Sequence, residues 1–173
     1  MSDGQYFLYL DTESERRQLV DEIVRTRRAV LQIVDNVPVA LRYEPRYHGW
    51  SLAAMLAHLH NTDNVSMFLI QAALLHIRIP ISKRLNDRIN DTAAQLFRQR
   101  LIETTVKDIQ RSEKRITDFI MRLPISKFTC EVHHPDLDIN MTVERAVQAL
   151  FLHHWQAHLQ TMRQVEGIQS NKE

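Results

Sequence analysis

The length, composition and charge of this chain exclude several classes of protein. Its 173 residues fall within the usual length of one domain, and 44% hydrophobic with 25% charged residues is typical of a globular protein with a buried core. Because 22 lysines and arginines nearly balance 21 aspartates and glutamates, no basic excess indicates a nucleic-acid partner.

Other features of the composition bear on location and architecture. A single cysteine, Cys130, excludes an internal disulfide, and we find neither a secretory signal segment nor an apolar run of membrane-spanning length. We therefore expect one cytoplasmic domain over residues 1–173, with its core at about 12–167 and no membrane contact. Only 3 glycines and 5 prolines favour long helices, whereas 9 histidines are an excess that suggests chemistry.

The first predicted helix begins at a capping box. Thr12 and Glu15 have the Ser/Thr-x-x-Glu spacing in which each side chain binds the backbone N–H of the other, and Pro38 ends the helix. Apolar residues recur between them at steps of three, four or seven, as on one face of an amphipathic helix: Leu19, Ile23, Val30, Ile33 and Val37.

The second predicted helix follows Ser51, a residue type that caps helix N-termini well, and runs to about His76. Its apolar positions are Met55, Leu59, Met67, Ile70 and Leu74. The next segment, Ile77 to Asn90, contains Pro80 and has no clean period, so the sequence predicts a long connecting loop there.

The third predicted helix begins at Asp91 or Thr92, with Gln95 three residues after the threonine, and ends before Pro124. Its apolar face consists of Ile102, Val106, Ile109, Ile116, Ile120 and Leu123. The period of this face predicts one continuous helix.

A second long loop and a fourth helix complete the chain. The segment Ile125 to Met141 is irregular, with a short extended piece expected at Lys127 to Val132. Thr142 caps the fourth helix and Gly167 ends it. Its apolar positions are Val143, Val147, Leu150, Phe151, Met162 and Val165.

Four helices that are each apolar on one face bury those faces most completely against one another. The sequence therefore predicts an all-α four-helix bundle, with long loops between helices 2 and 3 and between helices 3 and 4. We see no internal repeat and no second domain.

The fourth helix carries the strongest chemical signal. His154 and His158 are four residues apart, about 6 Å along a helix and about 40° around it, so their imidazoles can converge on one cation at about 2.0–2.1 Å. Both continue the apolar stripe and point inward, whereas His153 shares this spacing with neither. A buried imidazole needs partners, which either a metal ion or neighbouring side chains would supply.

A third histidine and a family resemblance come from the second helix. The run Tyr47-His48-Gly49-Trp50-Ser51, with His58 seven residues after the serine, resembles the DinB-like (YfiT-like) family of metal-dependent helical bundles. In that family a Trp-Ser pair opens the second helix, and a histidine near its middle is a metal ligand. The fourth helix is similar as well, because a Thr-Val start, here Thr142-Val143, leads to a His-x-x-x-His pair.

The resemblance covers the chain from about Thr12 to Gly167 and implies a function. It implies a four-helix bundle that holds one divalent ion (Zn, Ni, Mn or Fe) on His58, His154 and His158, with an open coordination position. It also implies a homodimer, and some relatives use a low-molecular-weight thiol for transfer or isomerisation.

Two readings of the site follow. The open position suits an enzyme that acts on an unidentified small molecule, either a hydrolase that activates water or a thiol-dependent transferase. The alternative is a non-catalytic binding module in which the metal, where one is bound, is structural.

Two side chains depart from or compete with the family pattern. The family often has Gln three residues after the last histidine, where this chain has Thr161, with Gln160 one place early. His60 is a rival third ligand, but it lies about 200° around the helix from His58, so both cannot face one ion. We expect His60 to be solvated.

Two further groups carry alternatives that the sequence leaves open. Cys130, His133 and His134 have a Cys-x-x-His spacing that suits zinc or a thiolate nucleophile, or they form an ordinary loop. Glu113 falls on the apolar face of the third helix. It is a fourth metal ligand, a partner to a histidine, a general base, or the partner of an arginine at the bundle edge.

The arginine clusters and the tryptophans have simpler interpretations. Arg25, Arg27 and Arg28 are most simply a solvated helix face, as is the Arg98-Gln99-Arg100 run. Trp50 and Trp155 belong either to the core or to the wall of a pocket, and the sequence does not separate these two.

Overall fold

The computed structural model describes residues 6–79, 81–134 and 137–168. These ranges contain the helices α1 (Glu13–Asn36), α2 (Leu52–Leu74), α3 (Lys83–Phe97), α4 (Ile102–Arg122), α5 (Val143–Gln148) and α6 (His154–Glu166), and the strands β1 (Glu131–His134) and β2 (Ile139–Thr142). A π-helical segment, Ala149–His153, joins α5 to α6, so the three pieces run as one long helix.

The predicted four-helix bundle is confirmed, and it consists of α1, α2, α4 and the α5–α6 helix. Helix α2 packs against α4, while α1 packs against both α4 and α6. Helix α3 is an addition to the bundle that packs against α2 and buries only Ala94. In the part of the chain that the structure describes, no helix is both long and apolar enough to cross a membrane.

Two apolar clusters fill the bundle, one toward each end. Along α1 the change from one cluster to the other falls between Ile23 and Val30, and along α4 it falls between Ile109 and Ile116. On the last helix it falls between Leu152 and Trp155. Buried polar side chains lie at this level, so the middle of the bundle is a polar layer between two apolar cores.

The predicted caps of the first, second and fourth helices are confirmed. The Thr12 hydroxyl accepts a hydrogen bond from the Glu15 N–H at 3.2 Å, and the Glu15 carboxylate accepts one from the Thr12 N–H at 2.9 Å. Ser51 caps α2 and Thr142 caps α5 in the same manner. Gly167 ends α6 in the left-handed region with a φ of 66°, a conformation that glycine adopts without a steric cost.

The third helix departs from the prediction. Helix α3 begins at Lys83, after a Ser82 cap, within the segment predicted as a loop, and Thr92 lies inside it instead of capping it. The chain then leaves helical geometry near Arg98 and begins α4 at Ile102. The apolar residues of α3, Leu85, Ile89 and Leu96, recur at helical spacing but stay exposed, so this helix does not contribute a core-facing stripe of the kind that marks the bundle helices.

The second loop contains a small sheet. Strands β1 and β2 pair in antiparallel orientation, with Glu131 opposite Thr142 and His134 opposite Ile139. The extended piece expected at Lys127 to Val132 therefore begins too early, because Ile125–Lys127 forms a 3-10 turn. His133 and His134 lie in a strand and not in an irregular loop.

An extended segment before α1 is fastened to the last helix. The Gln148 side-chain amide pairs with the Leu8 backbone, accepting from its N–H at 2.7 Å and donating to its carbonyl at 2.9 Å. One turn earlier, the Glu144 carboxylate accepts from the Leu10 N–H at 2.7 Å. These bonds hold the N-terminal segment against the helix just before its π-helical turn.

Candidate metal centre

Three histidines from two helices converge in the middle of the bundle. His58 lies on α2, His154 is the first residue of α6, and His158 lies one turn further. The Nε2 atom of His154 is 3.2 Å from Nε2 of His58 and 3.0 Å from Nε2 of His158. Among the described residues, these form the group of potential metal ligands whose atoms all lie within 4.8 Å of one another.

The π-helical segment changes how His154 reaches this position. A regular helical period would carry the apolar face from Val147 and Leu150 to His154, but Ala149–His153 interrupts that period. The four-residue spacing of His154 and His158 lies within the regular helix α6, so the two side chains still share one helix face. Segments of π-helix inside α-helices are frequent at functional sites, which agrees with the place of this one.

The distances from the His154 nitrogen to the nitrogens of His58 and His158 fit a divalent ion. Two nitrogens at about 2.0–2.1 Å from one tetrahedral ion are separated by about 3.3 Å. The separations of 3.2 Å and 3.0 Å are close to this value and correspond to slightly smaller angles at the ion. The donor set of three imidazoles also suits Zn, Ni and Fe, among the metals that the resemblance implies.

The electrostatic environment keeps all three rings neutral. Burial lowers the pKa of His58 to about 4, and burial with the neighbouring His58 and His48 lowers the pKa of His158 to about 4. Burial is also the main cause that holds the pKa of His154 well below its usual value, followed by His158, His58 and His134. At neutral pH each ring therefore has a free nitrogen lone pair for a metal.

Trp50 forms one wall of the site. Its ring meets the His58 ring edge to face, with 4.9 Å between the centroids. It also lines an open cavity together with His48, which sits in a tight turn with a φ of 50°. Trp50 is thus a pocket-wall residue, whereas Trp155 is fully buried in the core.

A buried ion pair lies directly behind the histidines. Asp63 on α2 accepts hydrogen bonds from Arg27 on α1 at 2.7 and 3.0 Å, from Trp155 on α6 at 3.0 Å, and from Ser112 on α4 at 3.2 Å. The Arg27 guanidinium also stacks over the Trp155 ring at 4.2 Å. The Asp63 carboxylate therefore connects all four helices of the bundle. Its partner Trp155 is the residue next to His154 in the chain.

This network contradicts the interpretation of Arg27 as part of a solvated face, because Arg27 and Asp63 are both 0% exposed. Arg27 lies inside because Asp63 supplies the opposite charge that a buried guanidinium requires. The sequence did contain a signal for it. Apart from histidines, Asp63 is the single ionisable residue of α2, whose other residues are apolar or uncharged.

Glu113 does not belong to the histidine group among the described residues. Burial raises its pKa, the Arg27 and Arg28 guanidiniums oppose that rise, and Asp63 adds to it. These neighbours place Glu113 beside the buried ion pair. Of the alternatives that the sequence left open, a role as fourth metal ligand is the one that this geometry does not support.

Among the described residues, the rival ligands do not belong to the histidine group. His133 and His134 are consecutive strand residues and point to opposite faces, so they cannot turn together toward one ion with Cys130. His133 instead approaches Asp138 at 3.5 Å. His60 is half-buried and not solvated as expected, and its Nε2 is 3.0 Å from the Asn64 amide nitrogen.

Thr161 stands where the family often has Gln. Its hydroxyl donates to the Ala157 carbonyl of its own helix at 3.3 Å, and Gln160 is exposed at the surface. Neither side chain therefore supports the three histidines in the way that the family pattern implies.

Comparisons with known proteins agree with this fold. The structure is similar to YfiT from Bacillus subtilis, described as a probable metal-dependent hydrolase with an unusual four-helix bundle topology. The TM-score is 0.73 at 16% sequence identity, and the match covers 96% of this chain and 92% of YfiT. At that identity the similarity shows the fold alone. No curated protein matches the chain at a significant level.

The family comparison is more specific, and it confirms the resemblance seen in the sequence. The model of the DinB superfamily matches residues 22–162. That range includes His58, His154 and His158, and it spans most of the chain. The chain belongs to the DinB superfamily.

Proposed function

We propose that this protein is a metal-dependent hydrolase that acts on a small molecule and holds one divalent ion on His58, His154 and His158. The observation that carries the proposal is the convergence of three neutral Nε2 atoms at separations of 3.0 and 3.2 Å. The description of YfiT as a probable metal-dependent hydrolase supports it.

Different residues of the chain have different roles at such a site. A divalent ion held there would supply Lewis acidity at the coordination position that three protein ligands leave open. Burial keeps the three imidazoles unprotonated, so they are ready to bind. Trp50 packs against the His58 ring, while the Asp63 network fixes the helices that present the ligands.

The place of Glu113 favours a catalytic over a purely structural metal. A structural site is closed by a fourth protein ligand, whereas a catalytic site keeps a position open. Among the described residues, the group of ligand atoms contains no carboxylate.

The homodimer, the low-molecular-weight thiol and the cytoplasmic location stay predictions. Sedimentation at tens of micromolar would test the homodimer.

A direct experiment compares metal-free and zinc-reconstituted protein on a panel of short-chain esters and amides. We expect about one ion per chain and a rate at least about 100-fold higher in the reconstituted protein. Metal-free protein is the control, because free imidazoles alone hydrolyse activated esters slowly. Reconstituted protein that hydrolyses no member of the panel faster than its metal-free form would contradict the proposal.

The pH dependence of metal affinity follows from the lowered histidine pKa values. A ring with a pKa of about 4 stays neutral well below the pKa of free histidine, about 6.5, so protons compete little with the metal. We expect nearly constant affinity from about pH 8 to about pH 5, and a steep fall as the pH approaches 4. Calorimetric titration measures this, with circular dichroism confirming that the protein stays folded at each pH.

Two other results would contradict the expected pH dependence of metal affinity. A tenfold loss of affinity between about pH 7 and 6 would mean that the ligands titrate like free histidines. A gain between about pH 7 and 8.5 that Cys130→Ser abolishes would place the metal at Cys130, whose thiol ionises in that range.

A further inference from the structure

A narrow cavity between α2 and α3 leads to His58. His58 lies in its wall, α2 and α3 form its two sides, and Leu150 of the π-helical segment completes the lining. Its volume is about 40 Å³, enough for about three water molecules or a small polar group. The cavity therefore reaches one of the three histidines of the candidate metal centre, and it does so from the side of α3.

The lining of this cavity carries no formal charge. Apart from His58, it consists of uncharged side chains in two sets. The polar set contains the amides of Asn61, Asn86 and Asn90 and the hydroxyls of Thr62 and Ser66. The aliphatic set is Val65, Leu69, Ile89, Ala93 and Leu150.

Two of the three amides have no hydrogen-bond partner in the part of the chain that the structure describes. The side chains of Asn61 and Asn90 make no hydrogen bond to the described part of the chain. A carboxamide has two donor hydrogens and an acceptor oxygen, so the pair can serve both ends of another amide. Polar groups that face a confined space without protein partners are available to a ligand.

A charged ligand would fit this cavity poorly. A carboxylate, phosphate or ammonium group would lose its hydration in a narrow space and find no opposite charge in the lining. A neutral carbonyl compound loses less on leaving water, and it regains hydrogen bonds from the asparagines.

We propose that this cavity binds the substrate and that the substrate is a small uncharged amide with a short aliphatic group. The proposal rests on the proposed function, because it places the amide carbonyl beside the histidines. The amide group contacts Asn61 and Asn90, and the aliphatic group contacts Val65, Ile89 and Leu150.

Three probes of matched size and different charge test this proposal: propionamide, propionate and propylammonium. We use metal-free protein first, because a bound metal would itself attract propionate, and then zinc-loaded protein. Methyl signals of Val65, Leu69 and Leu150 in NMR spectra report occupancy of the cavity. We expect propionamide to shift these signals with an affinity at least about tenfold higher than that of either charged probe.

A pair of isosteric variants on α3 provides the matched control. Asn90→Asp puts a negative charge in the cavity, and we expect it to reverse the preference in favour of propylammonium. Gln95→Glu adds the same charge at an exposed position outside the cavity, and we expect unchanged binding of all three probes. Asn61→Ala is a second test in the opposite wall, and it should weaken propionamide at least about fivefold.

The outcomes separate this inference from the proposed function. Propionate that binds metal-free protein as tightly as propionamide, or no shift with any probe at millimolar concentrations, overturns the inference and leaves metal-dependent hydrolysis standing. Propionamide that binds while zinc does not bind His58, His154 and His158 overturns the proposed function and leaves the cavity as a neutral-ligand site.

Discussion

Replacing His154 with alanine should abolish metal binding at the three histidines, whereas replacing His153 should leave it intact. The Nε2 atom of His154 is the shared neighbour of the other two, at 3.2 and 3.0 Å. His153 points elsewhere, and its Nδ1 lies 3.2 Å from the Gln156 side-chain oxygen. Loss of a residue that only supports a metal ligand commonly lowers metal affinity about 10–100-fold. Loss of His154, a ligand itself, should therefore lower metal affinity more than about 100-fold.

The two variants form a matched pair, because each removes one imidazole from consecutive positions on one helix. Metal content after reconstitution and calorimetric affinity measure the effect, and circular dichroism checks that both variants are folded. His158→Ala should behave as His154→Ala does. Metal retained by His154→Ala and lost by His153→Ala would show that the ion binds another face of this helix.

Removing the Asp63 carboxylate should produce the largest loss of stability among substitutions outside the histidines. Asp63→Ala leaves the fully buried Arg27 charge without its partner, and it removes the acceptor of Trp155 and Ser112. Breaking a buried pair in this way costs about 3–5 kcal/mol. For a chain of this length that lowers the melting temperature by roughly 10 °C.

We also expect substitutions within this network to differ in how much they lower the free energy of unfolding. Arg27→Met should cost less than Asp63→Ala, because Asp63 keeps the hydrogen bonds from Trp155 and Ser112. Arg17→Met, which removes an exposed pair with Glu13, is the control and should leave the free energy of unfolding essentially unchanged. Urea denaturation gives all three values. A loss below about 1 kcal/mol in Asp63→Ala would mean that water reaches Arg27.

Features set by residues close together in the chain were predictable from the sequence. The Thr12 and Glu15 capping box, the Ser51 and Thr142 caps and the Gly167 terminus depend on backbone groups within a few residues, so the amino-acid types at those positions determine them. The spacing of His154 and His158 is equally local, because a regular helix turns any four-residue step into neighbouring side chains.

Features set by packing between distant segments were not predictable in the same way. Helix α3 packs mainly against α2 and leaves its apolar residues Leu85, Ile89 and Leu96 exposed, so no core-facing stripe marks its beginning at Lys83. The π-helical turn before His154 has no local residue signature, and it forms where the last helix meets the N-terminal segment and the bundle.

The sequence by itself determined the helical class, the capped ends of the first, second and last bundle helices and the two histidines that share a helix face, because these follow from local hydrogen bonding and helical period. The family resemblance had already implied that His58 joins them from the second helix. The tertiary structure alone decided that Arg27 and Asp63 pair inside the bundle, and that uncharged side chains of α2 and α3 line a cavity beside His58. Those arrangements join residues tens of positions apart. Their free energy depends on which groups lose water together, and that is known only when the helices are packed.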